Sequence, residues 1–317
     1  MPSSVLTVIL NYRTAPMTLR AAEAAVAAMR GVDGAVTVVD NDSQDGSEAA
    51  LRAGVAARGL TGVRVIQAGR NGGFGAGNNV GIAAGLPDGR RPDHVYLLNS
   101  DAFPAPDAIR ILRDYLDANP AVGFAGSHVH GLEGDPHLTA FRFPSVWSEL
   151  EGAARTGPVS RLLRRHVITL DLPDQPRAVD WVAGASVMVR RKVLDAVGLF
   201  DEGFFLYFEE TDLCRRAAAA GWPVHYVPAA RVAHVGSEST GAKRWQRTPG
   251  YWFDSRWRYF AKHHGRGYAA AATLAHLTGA ALWRLRRLVE RQPAGGPERF
   301  MRDLAAHTLR NLARPNP

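Results

Sequence analysis

Acidic and amide side chains gather in this chain wherever an apolar run stops. The run His94-Val95-Tyr96-Leu97-Leu98 ends in Asn99-Ser100-Asp101, and Pro104 closes it. A buried strand that delivers a carboxylate to its carboxyl end places it where open α/β sheets bind ligands. Capping of a turn is the competing role for Asp101, because Asn, Ser and Asp all bond their own backbone after strands. A second run, residues 35–39, feeds Asp40-Asn41-Asp42-Ser43, again at a strand's carboxyl end. Further on, Glu209, Glu210 and Asp212 follow directly on Phe204, Phe205, Tyr207 and Phe208. Aromatic cover dries an acid and lifts its pKa toward a value useful in a general base. The same acids also suit a helix amino terminus. His234, after a strand over residues 223–227, is a candidate metal ligand beside Asp101, although a lone histidine is usually structural.

The glycine-rich stretch Asn71-Gly72-Gly73-Phe74-Gly75-Ala76-Gly77-Asn78-Asn79-Val80-Gly81 opens a helix. It does not carry the dinucleotide fingerprint Gly-x-Gly-x-x-Gly: counted from Gly73 the sixth position is Asn78, and from Gly75 it is Val80. That weakens a nicotinamide-dependent oxidoreductase. Two uses remain open for the stretch. Its glycines could let the helix pack closely on a sheet, or Asn78 and Asn79 could approach a pyrophosphate near the helix start. The small pair Gly184-Ala185, between two short strands, likewise suits either a ligand's close approach or a plain turn.

These residues must be positioned by elements that the pattern makes legible. Strands at residues 5–10, 35–39, 63–66 and from 94, separated by helix-length segments such as residues 16–29, predict four βα units and a mostly parallel, doubly wound α/β sheet. With 317 residues, 46% hydrophobic and 21% charged, the chain can bury a full core. The single cysteine, Cys214, excludes an intrachain disulfide and a cysteine-rich zinc site. Residues 1–10 lack the pattern of a signal peptide, so a cytoplasmic location is expected. Lysine occurs only at Lys192, Lys243 and Lys262 while arginine and alanine abound, which suggests a GC-rich bacterial genome. Residues 131–176 read as an irregular insertion, mobile or facing an acceptor.

The net charge of +8 is unevenly distributed. Residues 1–240 hold 23 Lys+Arg against 26 Asp+Glu, whereas residues 241–317 hold 15 against 4, a balance of +11. Two domains are therefore expected, a catalytic one over 1–240 and a basic, aromatic helical extension over 241–317. Aromatics interleave with the basic residues there, as in Trp257-Arg258-Tyr259-Phe260 and Trp283-Arg284-Leu285-Arg286-Arg287. An anionic membrane surface suits that pattern better than nucleic acid, the competing polyanion. The apolar part, residues 268–283, is interrupted by His276 and falls short of the ~20 residues that span a bilayer, so an interfacial helix is expected. A helical pack covering the catalytic domain is the other option.

Six motifs in order carry a family resemblance: Val-Asp-Asn-x-Ser-x-x-Gly-Ser (39–47), Asn-x-Gly-Phe-x-x-Gly-Asn-Asn-x-Gly (71–81), Leu-Asn-x-Asp (98–101), Gly-Ala (184–185), Phe-x-Tyr-x-Glu-Glu-x-Asp-Leu (205–213) and His-x-Gly-Ser (234–237). Together they resemble the family 2 glycosyltransferases, and among these the rhamnosyltransferase branch, over residues 5–239. The resemblance implies a GT-A fold, a nucleotide-sugar donor (a dTDP-sugar or UDP-sugar), a divalent cation (Mn2+ or Mg2+) and inversion at the transferred sugar. Carried over by position, it makes Asp40 the acceptor of the pyrimidine imide N–H, a contact that uracil and thymine share. Asp42, Asn71, Gly73, Phe74, Asn78, Asn79, Asn99, Gly184 and Ala185 would line the donor. Asp101 matches the last acid of the Asp-x-Asp metal motif, with Asn99 standing where the first Asp would be. His234 matches the later metal histidine, and a nitrogen ligand favours manganese. Glu210, second of the pair with Glu209, matches the base, although many relatives carry Asp there.

The expected function is transfer of L-rhamnose from dTDP-rhamnose to a lipid-linked or other saccharide acceptor of the cell envelope, at the inner face of the plasma membrane. The alternatives are another donor, a UDP-sugar or galactofuranose, and a membrane-associated nucleotide-binding protein without turnover. Oligomeric state is left open, a homodimer among the options.

Overall fold

The structure is a computed structural model that describes residues 2–236, 245–291 and 297–314. The chain forms two compact units. The first takes in Met1–Phe141, Asp171–Phe205 and Glu209–Gly241, and the second Arg142–Leu170, Leu206–Phe208 and Ala242–Pro317. The expected boundary at 240/241 lies outside the described residues.

The first unit begins with four βα repeats. They are β1 (Val5–Asn11), α1 (Ala15–Ala28), β2 (Gly34–Asp40), α2 (Ser47–Ala57), β3 (Val63–Gln67), α3 (Gly73–Ala83) and β4 (His94–Asn99), which leads to β5 (Ala102–Pro104) and α4 (Ala108–Ala118). After β6 (Phe124–His130) and β7 (Ala140–Phe141), the chain runs through α5 (Val146–Ala154) and α6 (Gly157–Leu162) of the second unit. It then returns for β8 (Arg177–Val179), β9 (Trp181–Val182), β10 (Ser186–Arg190), α7 (Arg191–Val197), α8 (Glu209–Ala219) and β11 (Val224–His234).

Alternation along β1 explains why helices lie on both sides of the sheet. Val5 and Ile9, on one face, join a buried cluster with Leu19, Ala21, Ala22, Ala25 and Ala28 of α1. Val8 and Leu10, on the other, meet α3 where it has no side chains: a Cβ on Gly81 would lie 2.5 Å from Val8 Cγ1, and one on Gly77 2.4 Å from Leu10 Cδ1. Two helical glycines four residues apart thus let α3 sit directly on the sheet. Each fully buried Val, Leu or Ile contributes about 1.5–3 kcal/mol, so this two-sided cover is the main source of the unit's stability.

The sheet has the order β3-β2-β1-β4-β10-β6-β11-β5, with β8 paired to β11, and β7 and β9 form a separate two-stranded sheet. β3, β2, β1 and β4 are parallel, but β10 enters antiparallel between β4 and β6. The expected strand ending at Asp101 is in fact two: β4 stops at Asn99, the chain turns at Ser100-Asp101, and β5 pairs with β11 on the far side of the sheet. β11 also outruns the expected strand over 223–227, because a register shift between Val227 and Arg231 lets it pass Pro228 and continue to His234.

In the second unit, residues 142–170, part of the expected irregular insertion over 131–176, form α5 and α6. They belong with α9 (Gly250–His264), α10 (Arg266–Val289) and α11 (Phe300–Ala313). Ser145 and Ser148 form a capping box that starts α5. The helices share one buried ionic cluster. Arg256, 1% exposed, donates to Glu149 Oε2 at 3.0 Å and to Thr273 Oγ1 at 3.0 Å, and His276 Nδ1 lies 2.7 Å from the same Glu149 oxygen. Burial alone would raise the Glu149 carboxyl, but the Arg256 and His276 charges prevail and hold it at about 2. No described helix is long and apolar enough to cross a membrane.

Candidate active site

Because β3, β2, β1 and β4 are parallel, their carboxyl ends share one edge. Register places Gln67, Asp40 and Asn11 in one row there, with Asn99 beside Leu10. Asp40, 1% exposed, is held from every side. Its Oδ1 accepts from Asn11 Nδ2 and Ser43 Oγ, both at 2.6 Å, and its Oδ2 from Gln67 Nε2 at 3.0 Å and the Ser43 amide at 3.2 Å. Four hydrogen bonds use the acceptor capacity of a carboxylate. The following loop turns sharply, with Asp42 and Gln44 at φ of 55° and 53°. Asp42 accepts from Gln44 Nε2, and its amide donates to Gln67 Oε1.

The glycine-rich segment is joined to that loop and to the acidic helix. Asn71 Oδ1 accepts from Asn41 Nδ2 at 3.0 Å and from the Gly73 amide at 3.1 Å. Gly73 has φ +88°, and a Cβ there would lie 1.8 Å from the Phe205 carbonyl oxygen, which accepts from the Phe74 amide at 3.0 Å. Gly73→Ala therefore meets both a left-handed backbone penalty of about 1–2 kcal/mol and a backbone clash. The variant should unfold at a clearly lower temperature in a thermal melt, and an unchanged midpoint would refute this close approach.

Asn78 and Asn79 each donate to a backbone carbonyl. The helix begins at Gly73, so both lie in its second turn, away from its amino terminus. Asn78 Nδ2 donates to its own helix at the Phe74 carbonyl. Asn79 clamps the loop before α8: its Nδ2 donates to the Phe200 carbonyl at 2.9 Å, and its Oδ1 accepts from the Phe200 amide at 3.0 Å.

At the end of β4 three side chains converge. His234 Nε2 is 3.0 Å from Asp101 Oδ1 and 3.4 Å from Asn99 Nδ2, while Asp101 Oδ2 accepts from the Gly236 amide at 3.0 Å. Burial would raise the Asp101 carboxyl, but His234 and the Gly236 amide outweigh it and hold it below the ordinary carboxylate range. A carboxylate oxygen and an imidazole nitrogen 3.0 Å apart have the spacing of adjacent corners of an octahedron with bonds of about 2.1 Å. A divalent cation thus fits in place of the proton they share. Among the described residues no group of three or more His, Cys, Asp or Glu forms a metal cage. Ser237, last of the His-x-Gly-Ser motif, lies outside the described residues.

The acids of α8 divide by role. Asp212 is fully buried and accepts from Arg216 Nε at 2.8 Å, an intrahelical pair. Glu209 and Glu210 instead each keep one carboxylate oxygen, Oε2, buried with no hydrogen-bond partner. Burial, then the charge of Glu210, pushes the Glu209 carboxyl well above the ordinary range, and burial pushes Glu210 up as well. A helix amino terminus favours an anion by about 0.3–1 kcal/mol, too little to offset that desolvation. Immediately before them Tyr207 and Phe208 both take φ of 70°, an uncommon conformation for aromatic residues that costs about 1–3 kcal/mol each.

Gly184 and Ala185 link the two halves of the site. The Asn99 amide donates to the Ala185 carbonyl at 3.0 Å. The space a side chain on Gly184 would fill is bounded by the Phe74 ring at 3.2 Å and Glu210 Cβ at 3.9 Å. Asn99 and Glu210 thus flank one turn. The sequence motifs did not single out Asn11 or Gln67, and held Gly236 only as part of His-x-Gly-Ser; the signal for Asn11 is that it ends the strand beside Asp40.

A family model described as "Glycosyltransferase like family 2" matches residues 2–292. The N-acetylglucosaminyl-diphospho-decaprenol L-rhamnosyltransferase of Mycobacterium tuberculosis is 32% identical over 222 residues, 65% of this chain and 68% of that protein. Rhamnosyltransferase WbbL of Escherichia coli is 28% identical over 165 residues, 51% of this chain and 60% of that protein. Among solved structures, the mannosyltransferase PcManGT of Pyrobaculum calidifontis, in complex with GDP-Man and Mn2+, aligns with a TM-score of 0.53 at 15% identity, covering 99% of this chain and 88% of its own. GalNAc-T7 with UDP, GalNAc and Mn2+ aligns at 0.56 and 14% identity, covering 98% and 58%.

Proposed function

The chain belongs to the glycosyltransferase-like family 2 as a hexosyltransferase of GT-A fold, and from that premise we propose that it moves L-rhamnose from dTDP-rhamnose, with inversion, onto a hydroxyl of a lipid-linked cell-envelope glycan. The observation that carries the reading is the turn at Gly184-Ala185, with Asn99 bonded on one side and Glu210 against the other. The mycobacterial relative supports the choice of sugar and of a polyprenyl-diphosphate acceptor. Such an acceptor is membrane-embedded, so the reaction belongs at the inner face of the plasma membrane.

Glu210 takes the proton of the acceptor hydroxyl as its oxygen bonds to the anomeric carbon, and the bond from that carbon to the diphosphate breaks with its electrons leaving on the diphosphate. Direct displacement requires only this one base. Asp101 and His234 are the residues proposed to hold a divalent cation, manganese preferred for the nitrogen ligand, which when bound offsets the charge of the departing diphosphate. Purified protein with Mn2+ and polyprenyl-diphosphate N-acetylglucosamine should release dTDP from dTDP-rhamnose and add one rhamnose to the lipid. A faster reaction with a UDP-sugar or a galactofuranose donor would replace the donor. No turnover of any nucleotide sugar would leave a binding protein.

Asp40 is proposed to receive the pyrimidine imide N–H in exchange for Gln67, the exposed residue among its three partners. Loss of a hydrogen bond to a charged group costs about 1.5–3 kcal/mol, so Asp40→Ala should raise the donor Kd by roughly tenfold or more in calorimetric titration. Gln67→Ala should leave that affinity intact. Equal weakening by both changes would assign Asp40 to loop structure alone.

A further inference from the structure

The α10 helix is patterned the wrong way round for a surface helix in water. Its packed face is made of small residues, Ala269, Ala272, Thr273 and Gly279, and it approaches α5 so closely that a Cβ on Gly279 would lie 2.4 Å from the Leu150 carbonyl oxygen. The outward face carries the large aliphatic residues. Leu274, Leu282, Leu285, Leu288 and Val289 are 66%, 45%, 61%, 76% and 77% exposed. At 100° per residue these five fall on one stripe along about four turns. Scattered exposed leucines need no explanation, but five large aliphatic residues on one helix face, four of them within residues 282–289, do.

Arginines border the stripe. Arg284 falls on one margin and Arg286 on the other, with Arg291 just past the helix end; all three are exposed, and Arg286 is paired to Glu290 at 2.7 Å. Arg287 belongs to the packed side, half-buried with its guanidinium 4.8 Å from the Trp283 ring centroid. A 24-residue helix is about 36 Å long, yet no described helix is apolar enough to cross a bilayer, which leaves the in-plane arrangement.

We propose that this α10 stripe is a docking surface for an anionic lipid leaflet, its leucines entering the headgroup boundary and the marginal arginines meeting lipid phosphates. Charge complementarity decides between a leaflet and a second copy of the chain. Two stripes face to face would bring arginine margins together in a segment that already carries +11 over residues 241–317, whereas anionic headgroups neutralise them. The surface is independent of the reaction proposed above, and its test reads vesicle binding rather than turnover.

The full chain should co-sediment with phosphatidylglycerol-containing vesicles, less so with phosphatidylcholine alone, and less as salt rises. Leu285→Glu with Leu288→Glu should cut that partition on the order of tenfold or more at an unchanged thermal midpoint, since both side chains are exposed. Arg284→Gln with Arg291→Gln should remove most of the preference for anionic vesicles while leaving weak binding to both. Parental binding by the leucine variant overturns the proposal. So does a lowered midpoint, which would mean the stripe is packed within the chain, or a dimer that the leucine changes convert to monomer while vesicle binding stays.

Discussion

Glu210→Gln is expected to lower kcat by roughly 100-fold or more while leaving donor affinity near the parental value. Gln matches Glu in size and retains its hydrogen-bonding reach, so the change removes little except the ability to take a proton. The unpartnered, buried Oε2 of Glu210 and its raised pKa are what make that ability valuable. A carboxylate in water is too weak a base at neutral pH, and burial strengthens it. Activity should accordingly fall on the acid side, as pH drops through the raised value and Glu210 becomes protonated. Glu209→Gln is the companion measurement. The folded Glu209 holds its proton to higher pH than the unfolded chain does, so its ionisation destabilises the fold as pH rises between the ordinary carboxylate range and that raised value. Glu209→Gln should therefore raise the thermal midpoint at neutral pH and flatten its pH dependence. If Glu209→Gln loses turnover and Glu210→Gln does not, the two acids exchange roles.

The sequence made the first half of the fold legible because parallel strands buried on both faces read as continuous apolar runs. β1, α1, β2 and β3 fall within one or two residues of their expected bounds. Carboxylates at strand ends were legible for the same reason. The antiparallel β10 between β4 and β6 was not, since pairing direction depends on distant partners that a local pattern does not contain. The glycines of α3 show how two readings can both hold: Gly77 and Gly81 serve helix-on-sheet packing, while Gly73 is required by the Phe205 carbonyl. The clamp that Asn79 makes was hidden, because its partner is the backbone of Phe200, 121 residues away. Residues 142–170 lacked long periodic segments, and their helices rest on contacts with the C-terminal ones, including the buried Glu149–Arg256 pair.

The other large effect is expected at Asp101, where the choice of substitution matters. Alanine would remove the acceptor for the Gly236 amide and leave His234 without its partner, adding a structural cost of about 1–3 kcal/mol to any functional loss. Asp101→Asn keeps an oxygen for that amide and removes only the charge. If Asp101 holds the cation, transfer should fall on the order of 100-fold or more, and the residual activity should no longer respond to added Mn2+. Stability provides an independent check. The folded Asp101 carboxyl is held below its ordinary range, so its charge stabilises the fold above that range, and the contribution disappears as pH falls through the lowered value. Parent and Asp101→Asn midpoints should then differ at neutral pH and converge in acid. A variant that retains parental turnover and manganese response would show that the carboxylate secures β4 to β11 through His234 and has no part in holding a metal.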